Sequence, residues 1–187
     1  MKLLDRLFGG TREMVALPPG TKAPDFSLPI ALPVVVPVAN DGGRFSLLSE
    51  LKKGPVLAAF FKVSCPTCQY AFPFLERLHQ AHGDKKITII GISQNNLRDT
   101  AAFLKEYGVS FPVLLDDPDG YAVSNAYGLT NVPSLFLIGQ NGQIEITSVG
   151  WVKPEIEEIN RHLAAAQQTP LPEIFKPGED VRPFKAG

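Results

Sequence analysis

The two cysteines of this 187-residue chain are separated by two residues, in the run Cys65-Pro66-Thr67-Cys68. Two thiols at this spacing can cycle between a dithiol and a disulfide, or they can supply part of a metal site. An unbroken apolar run, residues 55–61, precedes them, and apolar residues follow with helical spacing at Phe72, Leu75 and Leu78. We therefore expect the pair between the end of a buried strand and the start of a helix. Unpaired helix N–H groups and the helix dipole favour the thiolate form of a cysteine there.

This placement predicts different roles for the two thiols. Cys65 would stand at the helix N-cap, and Pro66 would occupy the first turn, where a missing N–H costs nothing. We expect Cys65 to attack a disulfide as the thiolate, and Cys68, one turn later, to resolve the mixed disulfide. Pro66 and Thr67 are candidates for substrate contact. No cofactor is expected beyond the redox-active disulfide Cys65–Cys68.

A metal site is the alternative use of such a pair. Zinc needs four ligands, and the three histidines, His79, His82 and His162, have no partner at a convincing ligand spacing. We therefore expect no metal. In a reducing compartment, a lone pair of this kind is more often catalytic or metal-binding than a structural staple.

The composition points to no highly charged partner. The chain has 18 basic and 19 acidic residues, a formal net charge of −1, so we expect neither nucleic acid nor membrane as partner. The amphipathic start, residues 1–8, is interrupted by charge. The apolar stretch at residues 31–39 carries Pro33 and Pro37 and is far shorter than the ~20 residues of a membrane helix. These features predict a cytoplasmic protein.

The remaining pattern alternates strands and helices. Residues 25–39 are extended and punctuated by proline, which predicts an edge strand or a covering loop. The regular elements that follow are predicted as strand 55–61, helix 66–82, strand 86–93, helix 97–107, strand 111–115, a short helix to 127, strands 135–138 and 143–149, and helix 154–166. This order predicts an α/β fold with a mixed central sheet and helices on both faces. We divide the chain into an N-terminal arm, 1–19, a domain, 20–166, and a Pro/Gly-rich C-terminal tail, 167–187.

Four features in register resemble a known family. Residues 60–68 resemble the strand-to-CxxC junction of thioredoxin-fold thiol-disulfide oxidoreductases of the TlpA/ResA group. Residues 20–26 are similar to a signature that this group shares with the AhpC/TSA peroxiredoxins. Pro73 stands where thioredoxins carry a proline in the active-site helix, and Val132-Pro133 resembles their cis-proline loop. The resemblance implies a thioredoxin-like fold over roughly residues 20–165, with an N-terminal extension and an inserted strand-helix unit.

The resemblance also implies a function. It implies thiol-disulfide exchange with protein or low-molecular-weight substrates, and a separate reductase that supplies electrons. Val132 and Pro133 would face the dithiol and pair with an extended substrate. Two positions depart from the family: Ser64 replaces a tryptophan, and Ala59 replaces the buried acid that would serve as a base for Cys68. The oligomeric state is left open.

Two other functions are considered. A peroxiredoxin-like peroxidase would use Cys65 as the peroxidatic and Cys68 as the resolving cysteine. That chemistry resembles a Pro-x-x-x-Thr-x-x-Cys loop with a distant Arg, but here Ala58, Lys62 and Pro133 stand at those positions, which favours disulfide exchange. A non-catalytic binding module on the same scaffold would show no disulfide exchange.

Several residues outside these motifs also carry predictions. Asn131 and Tyr127 are candidates for the wall of the cleft, Asp116 is expected to cap a turn or helix, and Trp151 is expected in the core. The apolar residues of the tail would pack over the domain or against a neighbouring subunit, unless the tail is only loosely docked; they are Leu171, Ile174, Phe175 and Phe184.

Overall fold

The computed structural model describes residues 15–31, 43–83, 86–116 and 119–187. Most of the predicted N-terminal arm therefore lies outside the described residues. The strands are β1 Ser27–Ala31, β2 Arg44–Ser46, β3 Val56–Phe61, β4 Thr88–Ser93, β5 Val113–Leu115, β6 Ser134–Ile138, β7 Ile144–Val149, β8 Trp151–Val152 and β9 Phe184–Lys185. The helices are α1 Leu47–Leu51, α2 Pro66–His82, α3 Leu97–Glu106, α4 Ala122–Ala126 and α5 Lys153–Gln167.

Seven strands form one mixed sheet in the order β2-β1-β5-β4-β3-β6-β7. Strand β3 is parallel to β4 and antiparallel to β6, and β4 is parallel to β5. Strands β8 and β9 form a separate antiparallel pair. The predicted α/β fold with a mixed central sheet is confirmed.

Strand β3 is buried on both faces, and its alternating side chains divide the core in two. Leu57, Ala59 and Phe61 belong to the cluster that includes apolar residues of α2, α3 and α5. The intervening residues, Val56, Ala58 and Phe60, belong to the cluster on the opposite face, with α1 and β1. Because successive strand residues point to opposite faces, this continuous apolar run is what a central strand covered on both sides requires.

Helix α2 presents the dithiol at its start and is tied to α5 at its end. Its last residue, His82, is buried, with Nε2 2.6 Å from Asn160 Oδ1 and Nδ1 3.0 Å from Gln167 Oε1. Gln167 also donates to the His82 carbonyl at 2.9 Å. Pro73 lies inside the helix, as predicted. These polar contacts anchor the end of α2 opposite the cysteines.

The position of β1 corrects one prediction. Strand β1 is not at the edge of the sheet, because it lies between β2 and β5. Its first half, through Pro29, pairs with β2, and its last two residues, Ile30 and Ala31, pair with β5. The staggered pairing explains why a proline is tolerated: Pro29 lies in the half of β1 whose register includes only β2.

The segment before β1 lies along the outer side of β7. Gly20 donates its N–H to Ile144 O at 2.8 Å, and Ile144 donates to Thr21 O at 2.9 Å. Lys22 and Gln143 form an isolated antiparallel bridge. Residues 20–22 thus behave as a short additional strand on β7. In the described part of the chain, no helix has both the length and the hydropathy needed to span a bilayer.

Candidate active site

The two cysteines lie at the start of α2 with different exposure. Cys65 is the N-cap residue and is half-buried, whereas Cys68 is fully buried. Cys68 donates its backbone N–H to Cys65 Sγ at 3.3 Å. This contact uses one of the N–H groups that a helix start leaves unpaired, and it favours negative charge on the Cys65 sulfur.

Burial separates the chemistry of Cys68 from that of Cys65. Removal from water raises the pKa of Cys68 far above its ordinary value, and the hydrogen bond from Cys65 and its charge raise it further. Cys68 is therefore a neutral thiol around neutral pH. Of the two sulfurs, Cys65 is the more exposed, and it lies at the helix N-cap.

The predicted cis-proline loop faces the dithiol. The Val132–Pro133 peptide bond is cis, and the Cys65 thiol donates to the Val132 carbonyl oxygen at 3.2 Å. Ser134 Oγ donates to Asn131 O at 2.7 Å, and Gly150 N donates to Pro133 O at 2.8 Å. Two neighbouring segments thus hold the loop against Cys65.

The turn that connects β3 to the cysteines is held by two side chains that sequence reasoning missed. Asn95 Oδ1 accepts from Val63 N at 2.9 Å, and Gln69 Nε2 donates to Val63 O at 2.9 Å. Asn95 follows β4, which runs parallel to β3, so the carboxyl ends of the two strands lie together. That parallel pairing was the available signal for Asn95.

A polar cleft of about 460 Å³ opens beside Cys65. Asn131 lines it, as predicted, together with Lys62, Gln94, Tyr121, Ser124, Asn125, Leu129, Thr130, Val132 and Gly187. The Lys62 ammonium lies 5.6 Å from the centre of the Tyr121 ring. The cleft and the cis-proline loop therefore meet at the Cys65 sulfur.

Tyr127 does not line this cleft, contrary to the prediction. It is fully buried, packs against Phe60 and Phe136, and donates its hydroxyl to Pro24 O at 2.9 Å. An aromatic body with one polar atom satisfied by a backbone carbonyl is a stable core residue.

Asp116 has the predicted capping role. Its buried carboxylate accepts from Val123 N at 3.2 Å, and from Ser124 N at 2.8 Å and Ser124 Oγ at 2.7 Å. The carboxylate holds the start of α4, and α4 in turn supplies one wall of the cleft. Trp151 is buried, as expected.

The two residues between the cysteines have different surroundings. Pro66 is exposed beside Cys65. Thr67 is buried, and its hydroxyl accepts from Lys185 Nζ at 2.7 Å and donates to Ala186 O. The contacts from the tail to this motif were not foreseen.

The positions of Ser64 and Ala59 follow from the fold. Ser64 is exposed next to Cys65, and Ala59 is buried in β3 within the same core cluster as Cys68. Ala59 supplies no carboxylate behind Cys68. Among the described residues, no group of three or more His, Cys, Asp or Glu side chains is arranged to hold a metal ion.

Comparison with known proteins agrees with this geometry. A family model described as Redoxin matches residues 18–163. The chain belongs to the redoxin family. Within it, the chain is 31% identical over 113 residues to the thiol-disulfide oxidoreductase ResA of Halalkalibacterium halodurans, covering 59% of this chain and 63% of that relative. ResA of Geobacillus thermodenitrificans is 26% identical over 152 residues, with 81% and 79% covered.

Solved structures of other redoxin-like proteins share the fold. A Chlorobium tepidum structure, assigned as the thiol:disulfide interchange protein DsbE, is 26% identical with a TM-score of 0.66 and covers 81% of this chain and 99% of its own. A Bacteroides thetaiotaomicron structure, assigned as a protein disulfide isomerase, is 25% identical with a TM-score of 0.68 and covers 80% and 89%. Family, fold and paired cysteines agree: this redoxin is a thiol-disulfide oxidoreductase with a thioredoxin-like fold.

Proposed function

We propose that this redoxin exchanges the Cys65–Cys68 dithiol with disulfide substrates, with Cys65 as the attacking thiolate and Cys68 as the resolving thiol. The observation that carries the proposal is the asymmetry of the pair. Cys65 is accessible at the N-cap of α2 and lies against the Val132 carbonyl, whereas Cys68 is buried one turn behind it.

The reaction proceeds in two exchanges. Cys65 Sγ attacks one sulfur of the substrate disulfide, the substrate S–S bond breaks, and the departing sulfur leaves as a thiolate. Cys68 then gives up its proton and attacks Cys65 Sγ, which releases the second substrate thiolate. The Cys65–Cys68 disulfide has formed, two electrons have passed to the substrate, and the released thiolates take up protons. An external thiol reductant reverses this change to regenerate the dithiol.

Deprotonation of Cys68 is the demanding part of this cycle. Burial keeps its pKa high, and Ala59 stands where a buried acid would otherwise act as a base. Once Cys65 is in the mixed disulfide it carries no charge, so one cause of the raised pKa disappears. We infer that the departing substrate thiolate accepts the Cys68 proton.

The partners of this reaction follow from its chemistry. The substrate is a protein or low-molecular-weight disulfide, and a reductase supplies electrons to the oxidised pair. The redox-active pair is the only redox group in this mechanism. Cytoplasmic location remains a prediction.

The first prediction concerns the two cysteines. Cys65→Ser removes the attacking sulfur and should abolish reduction of insulin disulfides, whereas Cys68→Ser should leave attack intact and accumulate mixed disulfides. Both are measured by insulin turbidity and by mass spectrometry of the protein after non-reducing isolation. Ser64→Ala, a change at the exposed neighbour of Cys65, serves as the matched control and should retain activity.

Two outcomes would contradict this mechanism. Equal insulin reduction by the wild-type protein and Cys65→Ser would exclude Cys65 as the nucleophile. Rapid consumption of hydroperoxide with a sulfenate on Cys65, and no insulin reduction, would establish peroxidase chemistry instead.

A further inference from the structure

The tail after α5 is firmly attached to the outer side of α2. Ile174 is buried, and Phe175 packs against Phe74 and Trp151 with ring centres 5.5 and 6.2 Å apart. Arg77 on α2 binds Glu179 through two hydrogen bonds of 2.7 and 2.8 Å. These contacts fix the direction in which the rest of the tail leaves α2.

The next part of the tail pairs with β8. Trp151 lies opposite Lys185 and Val152 opposite Phe184 in an antiparallel register. Trp151 Nε1 donates to Arg182 O at 2.7 Å, and Arg182 N donates to Tyr70 Oη at 3.0 Å. We call residues 182–187 the strap, because they run alongside β8 towards the dithiol.

The strap ends against the groups that surround Cys65. The hydroxyl of Thr67, inside the CxxC motif, accepts from Lys185 Nζ and donates to Ala186 O. Asn131 Nδ2 donates to Gly187 O at 3.2 Å. A Cβ on Gly187 would lie 2.6 Å from Val132 O, so the strap backbone is packed closely on the cis-proline loop.

Gly150 allows the same close approach from the other side. Its φ is +78°, and a Cβ there would lie 2.8 Å from Lys185 O. The strap therefore fits between Gly150 and Val132 without displacing either segment. It covers the side of the Val132 carbonyl that faces β8.

Beside the strap, the polar cleft remains open at Cys65, and Gly187 of the strap forms part of its wall. Its volume of about 460 Å³ is within the range of roughly 300–1,000 Å³ that holds small ligands. Among the described residues that line it, Lys62 supplies a cation, Gln94, Asn125 and Asn131 supply amides, and none supplies a side-chain carboxylate. This lining suits an anionic or strongly polar ligand.

We propose that the strap determines substrate choice by filling the space beside Cys65 between the cis-proline loop and β8. The substrate that fits is a small, anionic disulfide that enters the polar cleft with a carboxylate near Lys62. A disulfide held in a folded protein needs backbone contact with the cis-proline loop at Val132. Because the strap covers part of that loop, such a substrate must first displace the strap. This inference rests on the proposed disulfide exchange and names the substrate class of that same site.

The test compares the full chain with a chain ending at Val181 on two substrates, oxidised glutathione and insulin. Removing the strap should raise kcat/KM for insulin about tenfold, the equivalent of one or two hydrogen bonds that no longer need to be broken. The value for oxidised glutathione should change by less than about threefold, because the shortened chain loses only Gly187 from the wall of the cleft. Circular dichroism of both chains checks that each is folded.

Two point variants repeat the test without removing residues. Lys185→Ala deletes the side chain that donates to Thr67 and should raise kcat/KM for insulin roughly fivefold, with the oxidised glutathione value unchanged. Phe184→Ser is the matched control, because Phe184 is 61% exposed and its backbone pairing does not depend on the side chain. It should leave both substrates unaffected.

Lys62→Gln tests the cleft side of the proposal. It should raise KM for oxidised glutathione about fivefold with little change in kcat, and leave insulin unaffected, since only the small substrate uses that charge. Parallel changes for both substrates, or no change for either in any variant, would overturn the role of the strap. If neither substrate is reduced by the full or the shortened chain, the proposed function itself is wrong.

Discussion

At the scale of single residues, the active site places two residues of one amino-acid type in different surroundings. The backbone N–H of Cys68 at the helix start is directed at the Cys65 sulfur, while the Cys68 side chain has no access to water. The spacing of two residues produces this difference, since one helical turn carries the second thiol from the N-cap into the core. The same turn keeps the two sulfurs within reach of each other for disulfide formation.

Because the pKa of Cys68 is raised, the reduced protein should lose stability at alkaline pH. An unfolded chain loses this proton above the ordinary pKa of 9.0, but the folded chain retains it. Unfolding then releases a proton, so stability is fully present below pH 9.0 and falls as pH rises above it. Cys68 alone contributes a slope of at most about 1.4 kcal/mol per pH unit.

Urea unfolding of the reduced protein at about pH 8 and about pH 10 measures this slope. Cys68→Ala removes the titrating group and should show a smaller loss of stability over the same interval. Equal losses for the two proteins would show that Cys68 is not the buried thiol described here.

The type and spacing of residues were sufficient to place Cys65 at the N-cap of α2, Pro66 in its first turn and Cys68 one turn later, whereas the cis Val132-Pro133 loop was indicated by the family resemblance. They could not predict Asn95 or Gln69, because the role of each depends on the approach of its side chain to Val63 in the folded chain. Tyr127 was misplaced for a related reason. A tyrosine near a loop is compatible with both a cleft and a core, and only its packing distinguishes the two.

At the scale of elements, α2 packs against the tail as well as against the sheet. Besides the residues that pack against the sheet, α2 carries Tyr70, Phe74 and Arg77, which contact the tail. Ile174 and Phe175 pack, as the apolar pattern predicted, while Leu171 and Phe184 are exposed. The helix thus connects the tail to the dithiol that it carries.

Tail attachment should weaken in acid. Arg77 holds the pKa of Glu179 at about 2, below its ordinary value of 4.5. Because the folded value is the lower one, the contribution is present above pH 4.5 and is lost as pH falls towards 2. Trp151 is the chain's only tryptophan and contacts Phe175 and Arg182, so its fluorescence emission should shift over this interval.

Glu179→Gln gives the matched comparison. It keeps the size of the side chain but removes the charge, so its emission should change less with pH than that of the wild-type protein. An unchanged titration in the variant would assign the shift to other carboxylates.

Elements with strong apolar periodicity were predicted almost to the residue, as α2 and β3 show. The position of β1 inside the sheet was not predicted, because its proline indicated an edge and the staggered pairing that accommodates it is a property of the whole sheet. The path of the strap was also beyond prediction, since most of its contacts use backbone groups that every residue has.

At the scale of the whole molecule, the sheet separates the core cluster behind the dithiol from a second core cluster. The cluster on the α2 face includes Cys68, whereas the cluster on the other face includes Tyr127 and Phe136. The alternation of strands and helices was enough to predict this layered architecture. It implies that stability and catalysis can be changed independently.

Tyr127→Phe tests that independence. The variant loses the hydroxyl that donates to Pro24 O, so the free energy of unfolding should fall by about 1 kcal/mol. Insulin reduction per folded molecule should be unchanged, because Tyr127 is outside the cleft. Denaturant unfolding and steady-state kinetics measure the two quantities, and a large loss of kcat would contradict the separation.

The short pairing of residues 20–22 with β7 has a consequence for solubility. Strand β7 has six residues and would otherwise expose a row of unpaired N–H and C=O groups at one end of the sheet. Contacts with Gly20 and Thr21 occupy part of that row, and at the other end β2 has three residues and begins with a charged arginine. Within the described chain, these two features shorten the edges to which a second molecule could add a strand, which should disfavour edge-to-edge aggregation.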